Sequence, residues 1–184
     1  MNNFLRLRRD LLSARYLEFD CDSKSLTLID SSGASDTLPY ATISPGGWGY
    51  VYERWVGQHL FDNGWEVVYR GLELGVRDGG LDLELKKGDS MVYAQCKLTK
   101  KKKIGKMQAE HILYEASSGL MREYSGAKMK FWLIVPSIEM AFGRKVIKGK
   151  SSFPIAEYIL SKNELQDYCS LEIRELSNEH ILRV

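Results

Sequence analysis

The chain of 184 residues, 44% apolar and 27% charged, is long enough to bury one good core and too short for a second full domain beside it. Its net charge of +2 selects no partner, its start lacks the unbroken apolar stretch of a secretory leader, and no run is long enough for a bilayer-crossing helix. A soluble, cytoplasmic protein is expected, and Cys21, Cys96 and Cys169, odd in number and not spaced as zinc ligands, argue against disulfides or structural zinc.

Residues 15–20 and 25–30 alternate apolar and polar on either side of Cys21-Asp22-Ser23-Lys24, which predicts a β-hairpin. Turn chemistry at Ser44-Pro45-Gly46-Gly47 marks a boundary: residues 1–45 read as an N-terminal extension with that hairpin, and 46–184 as the main domain. Tyr52, Trp55, Val56, His59 and Leu60 recur at helical spacing and predict an amphipathic helix over 49–62, stopped by Asn63-Gly64. On that helix His59 is expected in the core and Glu53 at the edge of the apolar stripe. Strands are predicted at 65–70, 80–86 and 91–98, then a helix over 104–121 and a wholly apolar, buried strand at 131–135. The order is therefore αβββαβ. Beyond it, 154–160 and 161–168 read as helical and 171–176 as a strand. Trp48, Trp55, Trp65, Trp132 and Cys96 are expected to be core residues. The stretch from Gly143 to Ser151 resembles a phosphate-binding loop, but five residues between its glycines, instead of four, exclude nucleotide binding there.

Two of these strands flank Gly88-Asp89, and glycine at the first loop position suits a two-residue type II′ turn. That turn sets a register in which Asp82 faces Gln95, Glu84 faces Tyr93 and Gly80 faces Lys97. One face is then apolar throughout (Leu81, Leu83, Leu85, Val92, Ala94, Cys96) and the other gathers Asp82, Glu84, Gln95 and Lys97. An acid, an amide oxygen and an ammonium side by side suit a hard divalent cation: Asp82, Gln95 and the backbone carbonyl of Cys96 supply oxygen ligands, and Lys97 stabilises charge developing on a phosphate. Gly79 and Gly80 lack side chains that would keep a phosphodiester backbone away. From Lys86 to Lys106 eight lysines stand against a single acid, Asp89, and Lys100, Lys101, Lys102, Lys103 and Lys106 are expected to contact DNA phosphates. The bland alternative is an ordinary strand face with its charges in water, with Glu84 paired to a neighbouring cation and His111 on the surface.

The set Asp82, Gln95 and Lys97 on a hairpin, with Tyr50–Glu53, Asn63-Gly64-Trp65-Glu66-Val67 and Asp78-Gly79-Gly80-Leu81-Asp82, resembles the Mrr-like restriction endonuclease family of the PD-(D/E)xK nucleases, over residues 47–137. The resemblance implies a restriction-endonuclease-like α/β fold, a central mixed sheet flanked by helices, acting as a Mg²⁺-dependent DNA endonuclease, with Mn²⁺ as a substitute. It makes Asp82 the metal-anchoring acid, Gln95 the amide ligand, Lys97 the catalytic lysine, and Glu53 the first-helix acid, reaching the metal through water. Leu81 departs from the family's proline, and Gln95 lacks the second acid of the wider pattern. Double-stranded DNA is the expected partner, and cutting both strands favours a homodimer. The alternatives are a structure-selective repair or junction-resolving nuclease, or a catalytically inactive DNA-binding subunit of a larger complex.

Overall fold

The computed structural model describes residues 3–77, 79–99, 103–123, 129–161 and 169–183. Asp78, Lys100, Lys101, Lys102 and most of the helix expected over 161–168 lie outside them. The chain opens with a helix that the sequence reading missed, α1 (Asn3–Ser13). Its apolar stripe is narrow: Leu7 and Leu11, one turn apart, are buried, while Leu5 and Leu12 are exposed. The expected hairpin follows as β1 (Tyr16–Asp20) and β2 (Ser25–Ile29), paired antiparallel, and β3 (Ser35–Pro39) adds a third strand beside β2.

The helix α2 (Pro45–Asp62) starts earlier than its periodicity suggests, because Ser44 caps it. The Ser44 hydroxyl accepts from the Gly47 N–H at 3.1 Å and Pro45 occupies the first turn, where its missing N–H costs nothing. Helix α2 is buried on two sides. Trp48 and Val51 pack with Leu7, Leu11, Leu17 and Leu26 of the N-terminal segment, whereas Tyr52, Val56 and Leu60 pack on the central sheet. The extension is thus welded to the rest: the Arg54 guanidinium, buried on α2, donates to the carbonyls of Leu11, Ala14 and Arg15 at 3.1, 2.6 and 2.9 Å, and to the Tyr69 hydroxyl at 2.7 Å. His59 is exposed, contrary to expectation, and stacks on Trp55 at 5.6 Å on the outer side of the last turn, while Leu60 beside it faces the core.

The remaining elements are β4 (Glu66–Val68), α3 (Arg70–Leu74), β5 (Leu83–Lys87), β6 (Ser90–Cys96), α4 (Lys106–Glu123), β7 (Met129–Val135), α5 (Ile138–Phe142), β8 (Lys145–Ile147), β9 (Lys150–Ser152), α6 (Pro154–Ser161), β10 (Cys169–Glu175) and α7 (Glu179–Arg183). Among the described residues the central sheet has five strands in the order β10-β7-β6-β5-β4; β10, β7 and β6 run parallel, and β6, β5 and β4 antiparallel. The fold is therefore mixed α/β, a mixed sheet flanked by helices, and it contains the expected αβββαβ order as α2-β4-β5-β6-α4-β7 with α3 interposed.

Both faces of this sheet are covered. Leu83, Leu85, Val92, Ala94, Cys96, Trp132 and Ile134 meet α2 on one face; Tyr93, Phe131, Leu133 and Val135 meet Ala109, Ile112, Leu113, Ala116 and Leu120 of α4 on the other. Burial on both faces explains the unbroken apolar run of β7. Helix α4 comes close enough that a Cβ at Gly119 would lie 2.6 Å from the Gly79 carbonyl. No helix among the described residues is long and apolar enough to cross a membrane.

Candidate metal centre and nucleic-acid interface

The turn predicted at Gly88-Asp89 is present, with Gly88 at φ 57°, and the register it dictates holds from Lys87↔Ser90 through Glu84↔Tyr93 to Leu83↔Ala94. It then breaks. The Asp82 N–H donates to the Ala94 carbonyl at 2.8 Å, so Asp82 and Leu83 both face Ala94, as in a β-bulge. This corrects two expectations. Asp82 is not the ladder partner of Gln95, and Leu81, shifted by one place, leaves the face of Leu83 and Leu85 for the α4 side of the sheet. The single polar face expected for Asp82, Glu84, Gln95 and Lys97 does not form.

What forms instead centres on the peptide between Gln95 and Cys96. The Cys96 N–H donates to Asp82 Oδ2 at 2.6 Å, while the Asp82 carbonyl accepts from Gly71 at 2.9 Å, holding both ends of the residue. Gln95 is 1% exposed beneath α4, and among the described residues its side-chain carbonyl Oε1 finds no hydrogen-bond donor. A buried amide oxygen left so loses about 1–3 kcal/mol of solvation, so its place wants a positive group. Lys97 follows, half-buried, its N–H tied to the Ile134 carbonyl at 2.9 Å, which fixes the end of β6 against β7.

Glu53 comes to the same place from α2. It is 4% exposed, not the stripe-edge surface acid of the bland reading; its Oε1 accepts from the Leu72 N–H at 3.0 Å, and Gly71 presses so near that a Cβ there would lie 2.6 Å from Oε2. The Cys96 thiol reports how these charges converge. Burial pushes its pKa well up, the negative charges of Asp82 and Glu53 push it further, and Lys97 opposes them. Cys96 is accordingly a core residue and no nucleophile.

Glu84 and the glycines have structural roles. Arg70 bridges Glu84 at 3.1 Å and Glu123 at 2.6 Å, tying α3, β5 and α4 together. Burial disfavours that guanidinium's charge, yet the bonds and charges of Glu123 and Glu84 outweigh it and raise its pKa. Gly80 is buried, contrary to the expectation that it lies open to a phosphodiester. At φ 75° a Cβ there would sit 2.8 Å from Glu115 Cβ and 3.1 Å from Gln95 Nε2. Gly79, half-buried, faces Arg122 and Gly119 of α4. Both glycines serve the close packing of α4. Lys103 is exposed with its ammonium against Gly143, and Lys106 is exposed at the start of α4, over the Tyr158 ring at 5.4 Å. His111 is exposed and pairs with Glu115 at 3.4 Å.

Among the described residues no three His, Cys, Asp or Glu side chains form a metal-holding group. The donor set at the Gln95–Cys96 peptide is of another kind, two carboxylates with an amide oxygen and a backbone carbonyl. All are hard oxygen donors and suit Mg²⁺ in chemistry, but the structure divides them: Asp82 and Glu53 gather at Cys96 on the α2 side of the sheet, while the Gln95 side chain lies beneath α4 on the other. Comparison with protein-family models, curated proteins and solved structures returned no match.

Proposed function

We propose that the chain is a metal-dependent DNA endonuclease with the restriction-endonuclease-like site that its sequence resembles, of the Mrr-like kind. The observation that carries this reading is the meeting of Asp82 with the backbone between Gln95 and Cys96, one residue before Lys97, with the buried Glu53 at the same place. Asp82 and the Cys96 carbonyl would hold Mg²⁺ or Mn²⁺, with Glu53 acting through water; Gln95, the amide ligand that the resemblance implies, would have to turn its side chain out from beneath α4 to join them. When bound, the cation is a Lewis acid toward a phosphodiester oxygen and the attacking water. Lys97 stabilises the negative charge that grows on the phosphate as the water adds, and its anchored backbone fixes where the side chain starts. The Cys96 N–H holds the Asp82 carboxylate in one orientation. Lys103 and Lys106, with Lys100, Lys101 and Lys102 next to them in sequence, supply sequence-independent affinity for the DNA backbone. A homodimer would place one such site on each strand of a duplex.

The test is plasmid cleavage by the purified chain. Supercoiled DNA is expected to be nicked or linearised with Mg²⁺ or Mn²⁺ and left intact in EDTA, and Asp82→Ala and Lys97→Ala should each lower the rate at least 100-fold, roughly the scale of losing one preorganised charge-stabilising group. Cleavage undiminished in both variants would overturn the assignment. Metal-independent binding without cleavage would identify a DNA-binding subunit instead.

A further inference from the structure

The stretch dismissed above as a phosphate loop folds into something else. Strands β8 and β9 form a two-stranded antiparallel ribbon pairing Lys145↔Ser152, Val146↔Ser151 and Ile147↔Lys150, closed by Lys148 and Gly149 at φ 52° and 75°. Positive φ at both central residues is a type I′ turn, which fits the strand twist but favours Asn-Gly. A lysine in the left-handed region is strained at a cost of about 1 kcal/mol, so turn chemistry alone does not account for it. The ribbon is exposed: Lys145, Lys148 and Lys150 face solvent, Val146 is 60% exposed, and among the described residues no carboxylate lies within salt-bridge distance of those three lysines. From Gly143 to Ser152 there are four cations and no acid. One of them, Arg144, is engaged with Glu139 at 3.7 Å.

Topology sets this ribbon beside the candidate site. Strands β6 and β7 run parallel, so Lys97 and the segment leaving Val135 emerge at the same end of the sheet. The segments then touch again: the Ile104 N–H donates to the Ala141 carbonyl at 2.7 Å, and the Lys103 ammonium packs on Gly143, where a Cβ would be 2.8 Å away. Lys103 and the ribbon after α5 thereby lie side by side on one basic surface.

We infer that the β8–β9 ribbon is a duplex-binding element that enters a groove of DNA alongside the scissile strand. Two strands about 5 Å apart fit a major groove about 12 Å wide, which admits a two-stranded ribbon. The register sets Lys145 and Lys150 on one face of the ribbon and Lys148 at its tip, an array that reaches phosphates on both walls of a groove. This inference rests on the nucleic-acid reading of the neighbouring site.

The experiment compares the full chain with the triple variant Lys145→Gln, Lys148→Asn, Lys150→Gln. Asparagine accepts the left-handed turn position better than lysine, so the ribbon is retained and the thermal midpoint should stay level or rise. Fluorescence anisotropy with a labelled 20-base-pair duplex, and with one of its strands alone, is followed in EDTA from 50 to 200 mM salt. Loss of three phosphate contacts should make the slope of log affinity against log salt shallower by about 2.7, so that the wild type loses roughly 40-fold more affinity than the variant over that range. The loss should be larger for duplex than for single strand. A wild type that binds duplex with the variant following the same salt curve overturns the ribbon and leaves the nuclease reading standing. Equal losses on duplex and single strand overturn groove entry. A wild type that binds neither probe overturns both.

Discussion

Replacing Gln95 by methionine separates what this residue does for stability from what it does for chemistry. Its side chain is 1% exposed and its Oε1 has no donor among the described residues, so the folded protein holds an amide carbonyl that was hydrated in the unfolded chain. Methionine has nearly the same length and volume and no carbonyl; removing the orphan recovers about 1–3 kcal/mol, less about 1 kcal/mol for whatever Nε2 contributes. For a chain of this size each kcal/mol moves the thermal midpoint by about 2–4 °C, so Gln95→Met should melt a few degrees higher than wild type in EDTA. The order should reverse with metal. At a Mg²⁺ concentration 100 times its dissociation constant the wild type gains about 2.7 kcal/mol and the variant little, and the variant should not cleave DNA. Differential scanning calorimetry with and without Mg²⁺, beside plasmid nicking, reads all three outcomes. A variant that melts lower than wild type in EDTA would show that the amide is satisfied in the folded state, and one still stabilised by Mg²⁺ to the wild-type extent would remove Gln95 from the donor set.

Further expectations concern the way the chain holds together. Arg54→Met should cost about 3–5 kcal/mol, because it strands the carbonyls of Leu11, Ala14 and Arg15, and Arg54→Lys should not restore the loss, since an ammonium cannot span that fork. Hydrogen exchange should show residues 3–20 opening first; uniform protection across the chain would count against Arg54 as the weld. At alkaline pH the protein should lose stability. Burial raises the pKa of Cys96 and Tyr52, and that of Tyr69 to about 12, so these groups stay protonated in the folded state after the unfolded chain has begun to ionise. Their contribution is intact below the unfolded values, about 8.5 for thiols and 10 for phenols, and is lost as pH climbs past them. The urea midpoint should therefore be lower at pH 10.5 than at pH 7.5; an unchanged midpoint refutes the argument. Cys96 should also resist iodoacetamide until the chain unfolds.

Much of this fold is legible in the residues because local chemistry dictates it. Gly88 demands its turn, the turn sets the β5–β6 register, and the apolar run at 131–135 has to be a buried strand. Those signals span only a few neighbours in sequence, so a reading by period recovers them. The helix α1 escaped because among its described side chains only Leu7 and Leu11 are buried, and the β8–β9 ribbon because short, basic, exposed strands carry little alternation.

The candidate site shows the same division. Sequence alone brought Asp82, Gln95 and Lys97 to neighbouring strands, since a two-residue hairpin leaves their placement little freedom. The packing of the sheet between two helices decided how they meet. Fitting Leu81 against α4 while Leu83 faces α2 takes a bulge at Asp82, which moves that carboxylate onto the Cys96 N–H and leaves Gln95 buried on the opposite face. Glu53 became a buried acid for the same reason: α3 closes over it, with Gly71 and Leu72 supplying the surface. A one-residue shift and a helix laid across a side chain are consequences of burial summed over the whole molecule, and no window of local sequence contains that sum.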